Sequence, residues 1–242
     1  MGRTIVIGDI HGGLKALTQL LQRVRIKHDD VFIFLGDYVD GWSESPQVIS
    51  FLIALGEDYD CIFIRGNHDD LCHKWLLNNE KNEQWLFHGG QSTIAAYEEV
   101  SASEKELHIA FFERMKNYHI DDSNNLFVHS GFQNHHGPQH EYYATAFYWD
   151  RTLWEMAVAI NPELTPDDPA YPRRLKHFEE IYIGHTPVTR IGETVPTKRA
   201  TVWNIDTGAA FKGPISAIDI HTKQVWQSDA VWKLYPGENG RN

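Results

Sequence analysis

Cysteine is nearly absent from this chain. Two residues, Cys61 and Cys72, stand among 242, too few for a disulfide framework and without the paired spacing of a zinc finger. Positive charge is also scarce: 22 Lys and Arg face 33 Asp and Glu, for a net charge of −11. That balance does not fit a nucleic-acid groove, which needs basic clusters. It does not exclude a phosphorylated substrate, because bound cations supply local positive charge that the sequence sum omits. Long apolar runs are missing, so no segment reads as a membrane span. The opening residues, MGRTIVIGD, enter a strand pattern at once and lack signal-peptide character. The expected location is therefore the cytoplasm, with both thiols reduced. Cys61 starts an apolar run and is expected as a small core residue.

What is present is an ordinary globular composition, 42% hydrophobic and 23% charged, on a chain long enough to bury a substantial core as one domain, 1–242. Three short runs, 4–8, 31–35 and 61–64, are rich in β-branched and aromatic residues and read as strands. Between the first two lies LKALTQLLQRVR, with Leu14, Leu17, Leu20, Leu21 and Val24 on one helical face. Between the next two lies SPQVISFLIALG, with Ser45 expected as N-cap, Pro46 at the first helical position and Gly56 just past the end. Strand–helix alternation of this kind implies an α/β fold with a parallel sheet. Residues 70–120 change character and read as a helical insertion, with Ser103 and Glu106 as a capping box. Strands resume at 125–129, 181–184, 201–205, 215–220 and 224–227, the last two as an antiparallel hairpin. Residues 132–145 and 161–173 read as loops, and the tail after Pro236 as poorly ordered.

In open α/β sheets, ligands gather at the carboxyl ends of the strands. The polar residues that follow five successive strands are Asp9 and His11, then Asp37 and Asp40, then Asn67 and His68, then His129, then His185. Gly8, Gly36, Gly66 and Gly184 precede them and permit tight turns. Each group singly has an ordinary structural explanation, as a helix cap, a turn residue or a hydrogen-bonded histidine. Their convergence on one edge of one sheet does not. Close-packed carboxylates repel and raise one another's pKa, and divalent cations remove that problem. Oxygen and imidazole donors without thiolate suit Mn²⁺, Fe or Zn²⁺, and one carboxylate can bridge two such ions.

The segments GDIHGG, GDYVDG, RGNHDD, FVHSG and IGHT, in that order, resemble the signature of the calcineurin-like metallophosphoesterases. Within these they are similar to the phosphoprotein phosphatase branch, especially bacterial and phage serine/threonine phosphatases, as are WDR at 149–151 and WNIDTGAAF. The resemblance implies mixed β-sheets in a sandwich flanked by helices, an α/β/β/α architecture. It implies that Asp9, His11 and His185 hold one metal, that Asn67 and His129 hold the other, and that Asp37 bridges them. His68 would be the general acid and Asp40 its orienting partner. Two divalent ions, Mn²⁺ first and Fe or Zn²⁺ as alternatives, would activate a hydroxide that attacks phosphorus in line. The implied activity is hydrolysis of phosphorylated serine or threonine side chains. The alternative is hydrolysis of dinucleoside polyphosphates, resembling bacterial diadenosine tetraphosphatases, which share the GNHD form of the third motif.

One departure stands out. The family usually carries Arg directly after Asp40, where it grips phosphate, and this chain has Gly41 followed by Trp42. Arg151 is the expected remaining phosphate clamp, since its planar fork matches phosphate geometry; an ion pair with Asp150 or Glu155 is the alternative. Trp42 is expected in the core or anchoring the loop. Arg65 is equally consistent with the site and with a structural role, and His88 is expected near the site. His135, His136 and His140 are expected on a solvated rim. The aromatic run YYATAFYW, 142–149, is expected mostly in the core, with Tyr142 or Tyr143 lining the substrate mouth as the alternative.

Overall fold

Residues 2–241 are described by a computed structural model of the chain. The three opening runs form β1 (Thr4–Ile7), β2 (Val31–Phe34) and β3 (Asp60–Phe63), joined by α1 (Leu14–Val24) and α2 (Ser45–Asp58). The insertion follows as α3 (Asn67–Asn78), α4 (Glu83–Trp85), a kinked turn at Leu86–Gly90, α5 (Gln91–Ala96) and α6 (Ala102–Arg114). Next come β4 (Tyr118–Ile120), β5 (Leu126–Val128), α7 (Ala146–Trp149), α8 (Thr152–Ala159) and β6 (Ile181–Ile183). The chain then forms β7 (Thr197–Arg199), β8 (Val202–Asn204), β9 (Ser216–Asp219), β10 (Val225–Gln227) and α9 (Val231–Leu234).

There are two sheets, ordered β10-β9-β1-β2-β3 and β4-β5-β6-β8-β7. In each, three strands run parallel and the outer additions are antiparallel. The period-2 alternation of side chains makes the layers. Ile5, Ile7, Phe32 and Phe34 face the helices of the first half, whereas Val6, Ile33 and Leu35 face the other sheet. In the second sheet Leu126, Val128, Ile181 and Ile183 face the outer helices, and Phe127 and Tyr182 point inward. The result is the expected α/β/β/α sandwich with its helical insertion.

Several expectations need correction. The five polar strand ends come from two sheets rather than one, because short apolar strands look alike whichever sheet they join. Helix α6 is capped two residues earlier than expected: Ser101 accepts from Glu104 N at 3.2 Å. Glu44 rather than Ser45 is the N-cap of α2. Gly56 lies inside that helix, where a Cβ would meet the Phe63 ring at 3.3 Å. Residues 118–120, expected as helix, pair antiparallel with β5. The segment after Pro236 packs on the body: Ser43 N and Oγ donate to the Glu238 carboxylate at 3.0 and 2.8 Å. Cys72 is buried and Cys61 half-buried, both as free thiols.

Glu180 ties the two sheets together at the edge of the sandwich. Its carboxylate accepts from Lys198 Nζ on β7 at 2.7 Å and from Trp203 Nε1 on β8 at 3.1 Å. It also accepts from the Tyr182 hydroxyl and from Lys223 in the β9–β10 turn. Burial alone would raise its pKa, but the bonds from Lys198 and Lys223 outweigh that and bring it down to about 2. A carboxyl depressed in the folded state contributes stability that is complete above its ordinary value of 4.5 and is lost as pH falls toward about 2. Glu180→Gln is therefore expected to flatten the acid limb of the stability profile. Urea unfolding across that pH window tests this, and an unchanged limb would assign the acid sensitivity elsewhere.

Candidate active site

The loops after β1 and β2 are laced together by backbone bonds. Ile10 N and His11 N donate to Asp37 O at 3.0 and 2.9 Å, Gly12 N to Tyr38 O at 2.8 Å, and Trp42 N to His11 O at 3.0 Å. Lacing at this density forces unusual backbone. Nine described non-glycine residues have left-handed φ, and four of them are His11, Asp37, Asp40 and His185, at 54, 54, 71 and 68°. Such conformations cost about 1–2 kcal/mol each, so backbone strain is concentrated where the sequence places the chemistry. The preceding glycines permit the approach: a Cβ on Gly184 would lie 2.1 Å from Asp9 Oδ1, and one on Gly36 2.6 Å from Gly66 N.

The structure brings the strand-end residues into one buried cluster. His11 Nε2 lies 3.7 Å from Asp9 Oδ2 and 3.6 Å from Asp37 Oδ2. His129 Nε2 lies 3.4 Å from Asp37 Oδ1 and 3.3 Å from Asn67 Oδ1. His185 Nδ1 lies 2.9 Å from the same Asn67 oxygen, while its backbone N–H faces both Asp9 oxygens at 3.2 Å. The ring of His185 therefore groups with Asn67 and His129, not with Asp9 and His11 as the resemblance implied. Only its main chain touches Asp9, because the left-handed turn at His185 swings the imidazole toward β5.

The electrostatics follow from burial and proximity. Burial would raise the Asp37 pKa, but His129, His68 and His11 outweigh it and hold the carboxyl well below the usual range. Burial would lower that of His129, but Asp37 raises it to about 9. His185 is pushed well below its ordinary value by burial and by neighbouring His129. Asp69 was not singled out in the sequence, yet it fixes the Asp37 turn by accepting from Asp37 N, Tyr38 N and Gly66 N at 2.8–2.9 Å.

The cluster fits divalent cations. Asp9, His11 and Asp37 offer one set of converging donor atoms, and Asp37, His129 and His185 offer another, each within 4.8 Å. His11 Nδ1 faces the Val39 and Asp40 carbonyls at 3.2 and 3.0 Å, and His129 Nδ1 faces Leu35 O at 2.8 Å. Carbonyls only accept, so these nitrogens carry protons, and each Nε2 is left to face the carboxylates, holding a proton toward them or, once deprotonated, a lone pair for a cation. His185 Nδ1, facing Asn67 Oδ1 at 2.9 Å, is the ring atom turned to this second donor set.

Beside this cluster, His68 Nδ1 lies 2.6 Å from Asp40 Oδ2. The insertion contributes the rest of the Asp40 environment. Trp85 Nε1 donates to Asp40 Oδ2 at 2.7 Å, and Thr93 Oγ1 donates to Asp40 Oδ1 at 2.6 Å. Neither residue lies near a strand end, so the strand-end signal does not mark them. Asp206 follows β8 just as Asp9 follows β1, and that signal does mark it. Its carboxyl is buried in the cleft and pushed up to about 8 by burial and by nearby Asp9.

The cluster opens into a cleft of about 1110 Å³ whose described cations are Arg151, Arg190 and Arg241. Arg151 is half-buried there, and Asp150 instead pairs with Arg174 at 3.8 Å. His88 also lines the cleft. Trp42 is buried, stacked on Tyr235, and donates Nε1–H to Ala209 O at 2.8 Å. Arg65 is structural, donating to Phe112 O. His135, His136 and His140 are exposed. The 142–149 run does not face the core as expected. Phe147 and Tyr148 are buried, but Tyr142, Tyr143 and Trp149 are 88, 77 and 46% exposed, because the segment crosses the rim of the cleft before α8 begins.

Carboxylates and imidazoles that converge from two stacked mixed sheets, with places for divalent cations between them, define a metal-dependent hydrolase. The profile of the calcineurin-like phosphoesterases matches residues 2–201, and the chain belongs to that family: it is a metallophosphoesterase. It is 28% identical over 232 residues to the asymmetrical bis(5′-nucleosyl)-tetraphosphatase PrpE of Geobacillus thermodenitrificans, covering 88% of each chain. In fold it is similar to a crystal structure provisionally assigned as a diadenosine tetraphosphatase, with TM-score 0.64, 19% identity and coverage of 95 and 94%. It is likewise similar to a protein serine/threonine phosphatase of Saccharomyces cerevisiae, with TM-score 0.60, 15% identity and coverage of 95 and 80%. No helix among the described residues is long and apolar enough to cross a membrane.

Trp85 offers a clean test of the Asp40 environment. Trp85→Phe removes one donor to a buried carboxylate and is expected to destabilise the protein by about 1–3 kcal/mol while leaving cation uptake unchanged. Urea unfolding and calorimetric titration with Mn²⁺ measure the two effects, and parent-like stability would show that the bond contributes nothing.

Proposed function

We propose that this metallophosphoesterase hydrolyses dinucleoside polyphosphates, with phosphorylated protein side chains as the second reading. The observation that carries this is the cleft. It exceeds the space a phosphoserine side chain needs, gathers three arginines in a chain of net charge −11, and is bordered by solvent-facing aromatics. Phe87, 83% exposed, and Trp149 both line it. Trp149 also lines an adjoining depression of about 470 Å³ with Tyr142 and Tyr143. A polyphosphate chain suits the guanidinium groups, and the terminal bases suit the rings. The named activity of the Geobacillus relative supports the same order of the two readings.

In this reading Asp9, His11 and Asp37 hold one divalent ion and Asn67, His129, His185 and the shared Asp37 hold a second, Mn²⁺ before Fe or Zn²⁺. Bound there, such ions polarise phosphoryl oxygens and make a water nucleophilic near neutral pH. The chain itself does the rest. Arg151 holds substrate phosphate in register. Asp40, fixed by Trp85 and Thr93, accepts from His68 Nδ1 and orients the ring so that Nε2 can deliver a proton to the leaving oxygen. Burial lowers the His68 pKa, and the negative charge of an arriving phosphate favours its protonated form.

Three measurements test the proposal. A panel of dinucleoside tetraphosphate, phosphopeptides and p-nitrophenyl phosphate with added Mn²⁺ is expected to give nucleoside phosphates at the highest kcat/KM, and Trp149→Ala is expected to raise KM for the dinucleotide about fivefold or more. Preference for phosphopeptides would install the second reading. His68→Ala is expected to cost about 100-fold or more on an alkyl phosphate and far less when the leaving group is a nitrophenolate. Equal losses on both would remove His68 from the acid role.

A further inference from the structure

Gly41 occupies the position where the family motif carries the phosphate-gripping arginine, and its φ of 118° is one that residues with a side chain rarely adopt. The space beside it is filled from a distant part of the chain. Arg241 Cγ lies 3.4 Å from the point where a Gly41 Cβ would stand, and 3.1 Å from the equivalent point on Gly89, whose φ is 108°. Two glycines from separate loops thus form a slot, and the Arg241 side chain lies in it.

The segment that carries Arg241 is held on both sides. Glu238 accepts from Ser43 N and Oγ. Gly240 packs so closely on Trp42 that a Cβ would come within 2.7 Å of the indole. Arg241 N donates to Ala210 O at 2.9 Å, and its guanidinium carbon sits 5.5 Å from the centre of the Phe211 ring. These contacts place the side chain on the wall of the cleft that also holds Arg151, His68 and Asp37. Yet Arg241 Nε is buried with no hydrogen-bond partner among the described residues. A buried N–H of a cation is costly unless an acceptor completes it, and a phosphoryl oxygen is the acceptor this cleft is built to receive.

We propose that Arg241 is a substrate-binding residue that supplies the phosphate grip missing at Gly41, delivered to the cleft by the segment after Pro236. This rests on the cleft being the phosphoester site, not on which phosphoester enters it. Arg241→Ala is expected to raise both KM for hydrolysed esters and Ki for orthophosphate about tenfold or more. Melting temperature and Mn²⁺ uptake are expected to match the parent, and added guanidinium ion is expected to restore part of the affinity. Arg241→Lys should recover less than the parent affinity, since a point charge lacks the fork. Unchanged KM and Ki would overturn the proposal. So would a rise that comes with a lower melting temperature and no relief by guanidinium, which would assign Arg241 to packing. Running the same variants on dinucleoside tetraphosphate, p-nitrophenyl phosphate and a phosphothreonine peptide keeps the two claims apart. If the parent cleaves only the peptide, the dinucleotide reading fails while a raised KM on the peptide upholds Arg241.

Discussion

One buried carboxylate, Asp37, governs the organisation of this protein. It must stay ionised away from water, and that requirement is met by surrounding it with imidazoles and N–H groups. His129 and His11 approach it within 3.4 and 3.6 Å, and His68 N donates to it at 3.0 Å. Its main chain is clamped in a left-handed turn by Asp69, a second buried acid that accepts three backbone N–H groups. Removing one of these partners takes compensation from a buried charge, which costs more than losing a surface ion pair. The lacing of the first two loops, the tight glycines and the strained residues all follow from assembling this one environment.

Two sheets are needed because one cannot supply it. Parallel strands deliver their carboxyl ends to the same side, but neighbouring ends in a single sheet spread out in a row. Packing a second sheet face to face brings His129 and His185 over Asp37 and Asn67 from above, so the donors enclose a volume instead of lining an edge. The helical insertion then closes the remaining side through Trp85 and Thr93, which bind Asp40 from 45 and 53 residues away in sequence.

The sequence disclosed the chemistry more fully than the packing. Asp9, His11, Asp37, Asn67, His129 and His185 were visible because each follows an apolar strand run, and they do meet. The helical face of α1 was visible from Leu17, Leu20, Leu21 and Val24. The division into two sheets came from the family resemblance and not from the strand patterns, since Leu126–Val128 and Val31–Phe34 carry the same apolar character. Three-residue strands such as Tyr118–Ile120 and Thr197–Arg199 are too short for periodicity to register. The direction of the His185 ring is not legible in IGHTP, because it depends on a backbone φ of 68° that the sequence does not announce. The packed course of residues 237–241 was hidden for a different reason. Its contacts are with Ser43, Trp42 and Ala210, and nothing in a polar, glycine-containing stretch announces distant partners.

The stitch between His129 Nδ1 and Leu35 O spans the two sheets at the site. Behind it, Phe127 and Tyr182 stack at 5.1 Å within the apolar layer that separates those sheets. The thickness of that layer therefore sets the spacing between the half of the cluster carried by β1 and β2 and the half carried by β5 and β6. Trimming or enlarging an aromatic ring far from the cluster would act as a calliper on the distance between its two halves, from the interior of the sandwich and without altering any residue of the cluster itself.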